Sequence, residues 1–126
     1  MAINPFEFLV IAHDIAELEN VNEASLRMAI GRSYYAAFLT AESYLTQHHG
    51  IQKAPSEEGK PKGIHADVIY TLEQRNERNL KSAGIKLKQA RDLRVISDYK
   101  PNDDIVIDDL LDAIDYCDSI IKEKLI

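Results

Sequence analysis

Two arginines and an aspartate near the end of a predicted helix have the residue types and the spacing to bind a phosphate. The apolar stripe of that helix is formed by Leu80, Ala83, Leu87 and Ala90. At helical periodicity Arg94 falls in the middle of this stripe, Asp98 lies one turn further on, and Arg91 lies beside them. Removing a guanidinium from water is costly unless a carboxylate, a dipole or a bound anion compensates its charge. The planar fork of arginine suits a phosphate, so we expect Arg91 and Arg94 to face an anion-binding cleft.

The same spacing has a purely structural interpretation. Arg94 and Asp98 are four residues apart, so they can form a buried ion pair within one helix. Alternatively, Arg94 can meet an acidic residue of the C-terminal helix and so fix the register of the helices. The sequence leaves these alternatives open beside the phosphate site.

Other chemistries have little support in the sequence. Glu-x-x-His and HExxH patterns are absent, and neither His13 with Glu17 nor the pair His48 and His49 supplies three converging ligands. Gly-rich phosphate loops and G-x-S-x-G are absent as well. Cys117, the single cysteine, falls on an apolar stripe and is expected to be a core residue. We therefore expect no metal and no cofactor.

Five helices are needed to position these residues. Asn4, Pro5 and Glu7 have the spacing of a capped helix start, and Asn22 can cap a second helix that runs to about His48. The remaining helices are predicted over Ile64 to Arg78, from about Leu80 to Tyr99 before Pro101, and over Ile107 to Leu125. Residues 49–63, rich in Gly, Pro and charge, are expected to be a flexible crossover loop.

The helix faces predict how these elements pack. The expected buried stripe of the first helix consists of Phe8, Ile11, Ala12, Ile15 and Leu18. The second helix has a wide apolar arc, to which Tyr34 and Tyr44 belong, and should contact more than one partner helix. Short connections favour antiparallel neighbours, so residues 1–126 are expected to form one all-α, up-and-down bundle, with four core helices and one extra helix.

Composition and charge limit the class of protein. The 126 residues are 45% hydrophobic and 29% charged, and no apolar run could span a membrane, so we expect a soluble, cytoplasmic protein with no membrane partner. The net charge is -6, but residues 74–100 carry eight basic and three acidic side chains. That segment either complements the acidic segments around it or faces an anion.

A second apolar set on the fourth predicted helix points to self-association. Ile85, Leu93 and Ile96 lie on the side opposite the Arg94 stripe. A helix that is apolar on two faces must bury both of them, one in the bundle and one against another subunit. We therefore expect a homodimer, with the basic helix close to the two-fold axis.

The sequence resembles the small stand-alone HEPN domains of prokaryotes over residues 4–124. The resemblance lies in Arg-x-Tyr-Tyr-Ala-x-Phe at Arg32 to Phe38 and Arg-x-x-x-Asp-Tyr at Arg94 to Tyr99. It implies a five-helix bundle, commonly dimeric. Many such domains are metal-independent endoribonucleases of toxin–antitoxin or phage-defence systems, and others partner a small nucleotidyltransferase.

The resemblance also implies roles for individual residues. Arg94 would contact a phosphate, and Asp98 would either orient Arg94 or bind a proton weakly. Tyr99 would occupy the position where active members have a histidine. Arg32 and Tyr35 would line the same cleft, unless Tyr35 only packs and Arg32 only forms a structural ion pair. His65, at the start of the third helix, could reach the cleft from the loop side.

Three functions are consistent with these observations. The first is an RNA-binding dimer that cleaves RNA without metal, a reaction for which tyrosine is a poor proton acceptor at pH 7. The second is a catalytically inactive adaptor for a nucleotidyltransferase, an antitoxin or another partner. The third is a purely structural bundle in which the arginines hold the dimer.

Overall fold

The computed structural model describes residues 4–56 and 60–122, and five α-helices account for most of them. They are α1 (Phe6–Ala16), α2 (Glu23–His48), α3 (Ile64–Gln74), α4 (Arg78–Tyr99) and α5 (Ile107–Lys122). Within these residues there is no β-strand. The all-helical prediction and the number of helices are confirmed. None of the described helices has the length and apolar character needed to cross a membrane.

Local hydrogen bonds explain where the first two helices begin. The side chain of Asn4 accepts from the backbone N–H of Phe6 at 3.0 Å, and the carboxylate of Glu7 accepts from the N–H of Asn4 at 3.2 Å. The side chain of Asn22 likewise accepts from the N–H of Ser25 at 2.8 Å. Each bond satisfies a backbone donor that the first turn of a helix leaves unpaired.

The long helix α2 lies at the centre of the bundle and contacts each of the other four helices. Helices α1, α4 and α5 pack around it, and α3 packs mainly on α4 and to a smaller extent on α2. Among the described residues, α3 contacts neither α1 nor α5. Most of the wide apolar arc predicted for α2 is therefore buried: Tyr34, Ala37 and Leu45 are buried, and Tyr44 is half-buried against the same cluster.

The predicted inward face of α1 is right in part, and the predicted end of α3 is wrong. Ala12 is buried, and Phe8 and Ile15 pack against the core as expected. Leu9 is buried although it was not predicted, whereas Ile11 and Leu18 are 52% and 58% exposed. Nearly every residue from Phe6 to Ala12 is apolar, so spacing alone could not choose the inward face. Helix α3 ends at Gln74 and not at Arg78, because the chain becomes extended at Arg75 (ψ 149°) before α4 begins.

The second apolar face of α4 is mostly covered by the chain itself. Leu93 and Ile96 pack against the buried cluster that includes Leu26, Ile30 and Ile114, and only Ile85 of the predicted set is exposed, at 57%. The sequence argument that this face needs a second subunit is therefore weakened. The homodimer remains a prediction.

Close packing and loop contacts hold α3 in place. A Cβ atom added at Gly84 of α4 would lie 3.0 Å from Leu72 Cβ and 3.1 Å from the backbone nitrogen of Glu73, so the glycine permits the close approach of the two helices. The first part of the crossover, residues 49–56, is bonded to α3, since the N–H of Gln52 donates to Thr71 Oγ1 at 2.8 Å. The N–H of Ala54 donates to Asp67 at 2.9 Å. The end of the predicted fifth helix, including Leu125, lies outside the described residues.

Candidate anion-binding pocket

A pocket of about 330 Å³ opens where the middle of α2, the first turn of α3 and the last turns of α4 meet. Five of the residues that the sequence marked as candidates line it, namely Arg32, Tyr35, His65, Arg94 and Asp98. The lining residues are Met28, Gly31, Arg32, Tyr34, Tyr35, His65, Arg94 and Asp98. Three separate stretches of chain thus contribute polar side chains to one small volume.

Arg94 is held by its own helix and by two aromatic rings. Its Nε donates to Asp98 Oδ2 at 2.8 Å, and its Nη2 lies 3.4 Å from the hydroxyl of Tyr99. The guanidinium carbon is 5.9 Å from the centre of the Tyr34 ring and 5.4 Å from that of Tyr99, within the range of cation–π attraction. The structure therefore contains the intrahelical pair with Asp98, and among the described residues it has no pair between Arg94 and an acidic residue of α5.

This ion pair does not close off the guanidinium. The side chains of Arg94 and Asp98 keep 25% and 36% of their surface exposed. Among the described residues, Nη1 of Arg94 has no hydrogen-bond partner. Arg94 can therefore keep its contact with Asp98 and still donate to an anion in the pocket.

Arg32 and Tyr35 line the same pocket as Arg94, as the HEPN resemblance implied. The guanidinium of Arg32 lies 5.6 Å from the centre of the Phe8 ring, and that ring is 5.6 Å from the ring of Tyr35. Arg32 forms no ion pair with a carboxylate of the described residues, so the structural ion pair weighed for it is not found there. Tyr35 is 40% exposed, so part of its surface is accessible from the pocket.

His65 enters the pocket from the first turn of α3. Its Nδ1 is 2.7 Å from the hydroxyl of Tyr34, and its ring centre is 4.2 Å from that of Phe38. Tyr34 is only 1% exposed, in keeping with the packing role predicted for it. The bond from its hydroxyl to His65 could not be predicted from sequence, because it joins residues 31 positions apart across the crossover.

The electrostatic environment keeps both members of this pair neutral. Burial raises the pKa of the Tyr34 phenol above its ordinary value of 10.0, and the charges of Arg91 and Arg94 only partly oppose the shift. Burial also lowers the pKa of His65 from its ordinary 6.5, and the same two arginines lower it further. At pH 7 the pocket therefore holds a neutral phenol and a neutral imidazole.

Arg91 and Tyr99 are not among the residues that line the pocket. Arg91 lies in a neighbouring groove between α3 and α4, together with Lys62, Tyr70 and Lys88. It is nevertheless close enough to influence the titration of His65. Tyr99 is 66% exposed and contacts the pocket through Arg94. Arg91 and Tyr99 were expected in the cleft, but the structure places them beside it.

A fourth arginine, Arg27, binds the C-terminal end of α4. Its Nη1 lies 3.0, 3.1 and 3.2 Å from the carbonyl oxygens of Ile96, Ser97 and Lys100, and its Nη2 donates to the carbonyl of Asp103. The carbonyls of Ile96 and Lys100 also accept the backbone N–H groups of Lys100 and Asp103, so Arg27 reinforces the end of α4 and joins it to the segment that follows. Sequence reasoning missed this residue, because its partners lie about 70 positions away on another helix.

Metal ligands are not gathered anywhere in the described structure. In residues 4–56 and 60–122 no group of three or more His, Cys, Asp or Glu side chains is placed to hold a metal ion. Cys117 is fully buried, and burial raises its pKa above the ordinary thiol value of 9.0. It is a core residue, as predicted.

Comparison of the chain with protein-family models, with curated proteins and with solved structures finds no match. The chemistry of the pocket is therefore interpreted from its own geometry.

Proposed function

We propose that this protein is a HEPN-like helical protein that binds RNA, with Arg94 contacting a backbone phosphate. The observation that supports this most is the convergence of Arg94 and Arg32 on one pocket. The charged lining residues are these two arginines and Asp98, so the pocket is positive by one charge in a chain whose net charge is -6. Such a site attracts an anion locally, whereas the acidic surface as a whole disfavours coating of a nucleic acid.

Aromatic side chains around the arginines favour a nucleotide over a bare inorganic anion. Tyr35 and Tyr99 are 40% and 66% exposed, and Met28 beside them is 59% exposed. Exposed rings next to guanidinium groups are the surface on which the bases of a single strand stack. A volume of about 330 Å³ lies at the lower end of the range of small-molecule sites, so it fits one nucleotide and not a duplex.

The proposal includes the homodimer and the biological setting that the HEPN resemblance implies. In a dimer with α4 near the two-fold axis, two copies of Arg94 would approach the same RNA strand. The setting would be a toxin–antitoxin or defence system. Sedimentation equilibrium tests the assembly, and a single monomeric species at tens of micromolar would contradict it.

Fluorescence anisotropy with a labelled single-stranded RNA tests the binding site. We expect Arg94→Ala to weaken binding by about 10- to 100-fold, the effect of losing a hydrogen bond from a charged donor to phosphate. Arg78→Ala is the matched control, because it removes the same charge from the other end of α4, about 24 Å away at 1.5 Å per residue. Equal effects of the two variants would refute the phosphate site at Arg94.

A thermal melt of the same variants distinguishes binding from structure. If the arginines only hold the bundle or the dimer, Arg94→Ala would unfold the protein or break the assembly. If Arg94 binds phosphate, Arg94→Ala should keep its melting temperature within a few degrees, because the Arg94 side chain is partly exposed and the rest of α4 is well packed.

An inactive adaptor that partners a nucleotidyltransferase or an antitoxin is the second candidate. It is favoured by Tyr99, which stands where active HEPN domains have a histidine and exposes 66% of its surface. A tyrosine is a hydrogen-bond donor but a poor proton acceptor at neutral pH. Incubation with total RNA in EDTA separates the two candidates: intact RNA with retained binding indicates the adaptor, and degradation that Arg94→Ala abolishes indicates the enzyme.

A further inference from the structure

His65 has the position of a proton-transfer group in the pocket, although it belongs to α3 and the main candidate residues Arg94 and Asp98 belong to α4. It comes from α3, but it lines the same pocket as Arg94 and Arg32. Its ring is packed against Phe38, with centres 4.2 Å apart, and bonded through Nδ1 to the buried hydroxyl of Tyr34. The orientation of the imidazole is therefore fixed before any ligand binds.

The hydrogen bond to Tyr34 also distinguishes the two ring nitrogens. Nδ1 is occupied by the Tyr34 hydroxyl at 2.7 Å. Among the described residues, Nε2 has no hydrogen-bond partner. A neutral imidazole whose Nδ1–H donates to the Tyr34 oxygen has its lone pair on Nε2, which is the form that can accept a proton.

Charged and titratable groups surround the imidazole from both of the helices that pack against α3 here. They are Arg32, Tyr34 and Tyr35 on α2, and Arg91, Arg94 and Asp98 on α4. The three arginines disfavour a positive charge on His65 until an anion occupies the pocket. A bound phosphate would remove part of that penalty, so accepting a proton becomes easier when substrate is present.

We infer that His65 accepts the proton of the attacking ribose 2′-hydroxyl when RNA is bound at Arg94, which gives the pocket metal-independent cleavage chemistry with a base supplied by α3. The inference rests on the proposed RNA-binding function. In this step the 2′-oxygen forms a bond to the adjacent phosphorus, and the bond from phosphorus to the 5′-oxygen breaks. The 2′-hydroxyl proton moves to Nε2, and a water molecule protonates the departing 5′-oxygen. The products are a 2′,3′-cyclic phosphate and a 5′-hydroxyl, with no change in oxidation state.

Single-turnover cleavage of a labelled RNA in EDTA, measured beside anisotropy, tests this assignment. We expect His65→Gln to slow cleavage by about 100-fold or more, the usual effect of losing an acid–base group, and to change RNA affinity by no more than about threefold. His48→Gln serves as the control, because it removes an exposed histidine at the C-terminal end of α2, outside the pocket. Its cleavage rate should equal that of the wild type.

The pH profile supplies a readout that a structural role would not move. The wild-type rate should fall as the pH drops below 6.5, because protonated His65 cannot accept another proton, and this limb should be absent from the residual activity of His65→Gln. Tyr34→Phe removes the oxygen that stabilises the imidazolium and should shift the limb to lower pH. An unmoved limb would overturn the positioning role of Tyr34.

The outcomes separate the two proposals. If the wild type fails to bind RNA, the proposed function is wrong. Binding without cleavage by the wild type, or cleavage that His65→Gln leaves unchanged, would overturn the role of His65 while the RNA-binding proposal stands. A 2′-deoxy substitution at the cleaved position must abolish the reaction, since the attacking group is then missing.

Discussion

The contact between α3 and α4 at Gly84 leads to a prediction whose sign is set by geometry. Replacing a glycine in a helix interior by alanine ordinarily stabilises a protein by roughly 0.5–1 kcal/mol. At Gly84, however, the new methyl group would lie 3.0 Å from Leu72 Cβ and 3.1 Å from the backbone nitrogen of Glu73. Leu72 is completely buried, and a backbone atom moves only if α3 moves with it.

The expected magnitude follows from setting these two effects against each other. Forcing one extra carbon into a well-packed contact costs about 1–3 kcal/mol. Subtracting the gain in helix propensity leaves Gly84→Ala destabilised by about 1 kcal/mol. For a chain of 126 residues this corresponds to a melting temperature lower by roughly 3–5 °C.

Gly31→Ala is the matched comparison, since it makes the same chemical change inside α2. There the added Cβ would lie 3.4 Å from Asp98 Oδ1, an ordinary contact distance with a side chain that is partly exposed. We expect this variant to melt about 2–4 °C higher than the wild type, because only the propensity gain remains. The two alanine variants should therefore move in opposite directions in the same calorimetric or circular-dichroism melt.

Either of two results would refute the reasoning. If Gly84→Ala melts at or above the temperature of Gly31→Ala, the close approach of α3 to α4 is not a constraint on the fold. A crystal structure of Gly84→Ala with α3 unmoved would lead to the same conclusion. The comparison matters for the site, since a displaced α3 would move His65 away from Arg94.

Two further predictions concern residues outside the pocket. Arg27→Lys should destabilise the protein by about 2–3 kcal/mol in urea unfolding, because an ammonium group cannot reproduce the guanidinium contacts with the carbonyls of Ile96, Ser97 and Lys100. The control is Arg78→Lys at an exposed position, which should change the free energy of unfolding by less than about 0.5 kcal/mol. Cys117 should react with an alkylating reagent only at the rate of global unfolding, since it is fully buried and its pKa is raised; rapid labelling of the folded protein would contradict this.

Helical periodicity was sufficient to predict the number of helices and most of their limits. Helix α2 begins after Asn22 and runs to His48 as expected, because a capping side chain marks its start. The end of α3 was missed, since the residues from Arg75 to Glu77 include no proline or glycine to mark the break. The inward face of α1 was predicted only in part for the opposite reason: apolar residues occur on every side of the helix, so Ile11 was expected to be buried and Leu9 was not.

The candidate site was predictable to the extent that its residues share one helix. The line of Arg94 along α4 and its spacing from Asp98 follow from 3.6 residues per turn, and both lie in the pocket. Arg91 shares that helix but points to a different groove, because a step of three residues turns the side chain by about 60° from a full revolution. Contacts between helices, such as Tyr34 with His65, depend on the path of residues 49–63, and sequence periodicity contains no information about that path.

The position of His65 depends on residues that do not line the pocket. Helix α3 starts at Ile64, immediately after Gly63, whose backbone has a φ of +98° that side-chain-bearing residues rarely adopt. Nothing lies within 4 Å of the place where a Cβ of Gly63 would be, so the glycine is needed there for its backbone conformation and not for space. Gly63 therefore sets where the first turn of α3 begins, and Gly84 sets how close that helix lies to α4. Together they bring an imidazole from one helix to a guanidinium on another, a combination that neither helix could supply from its own sequence.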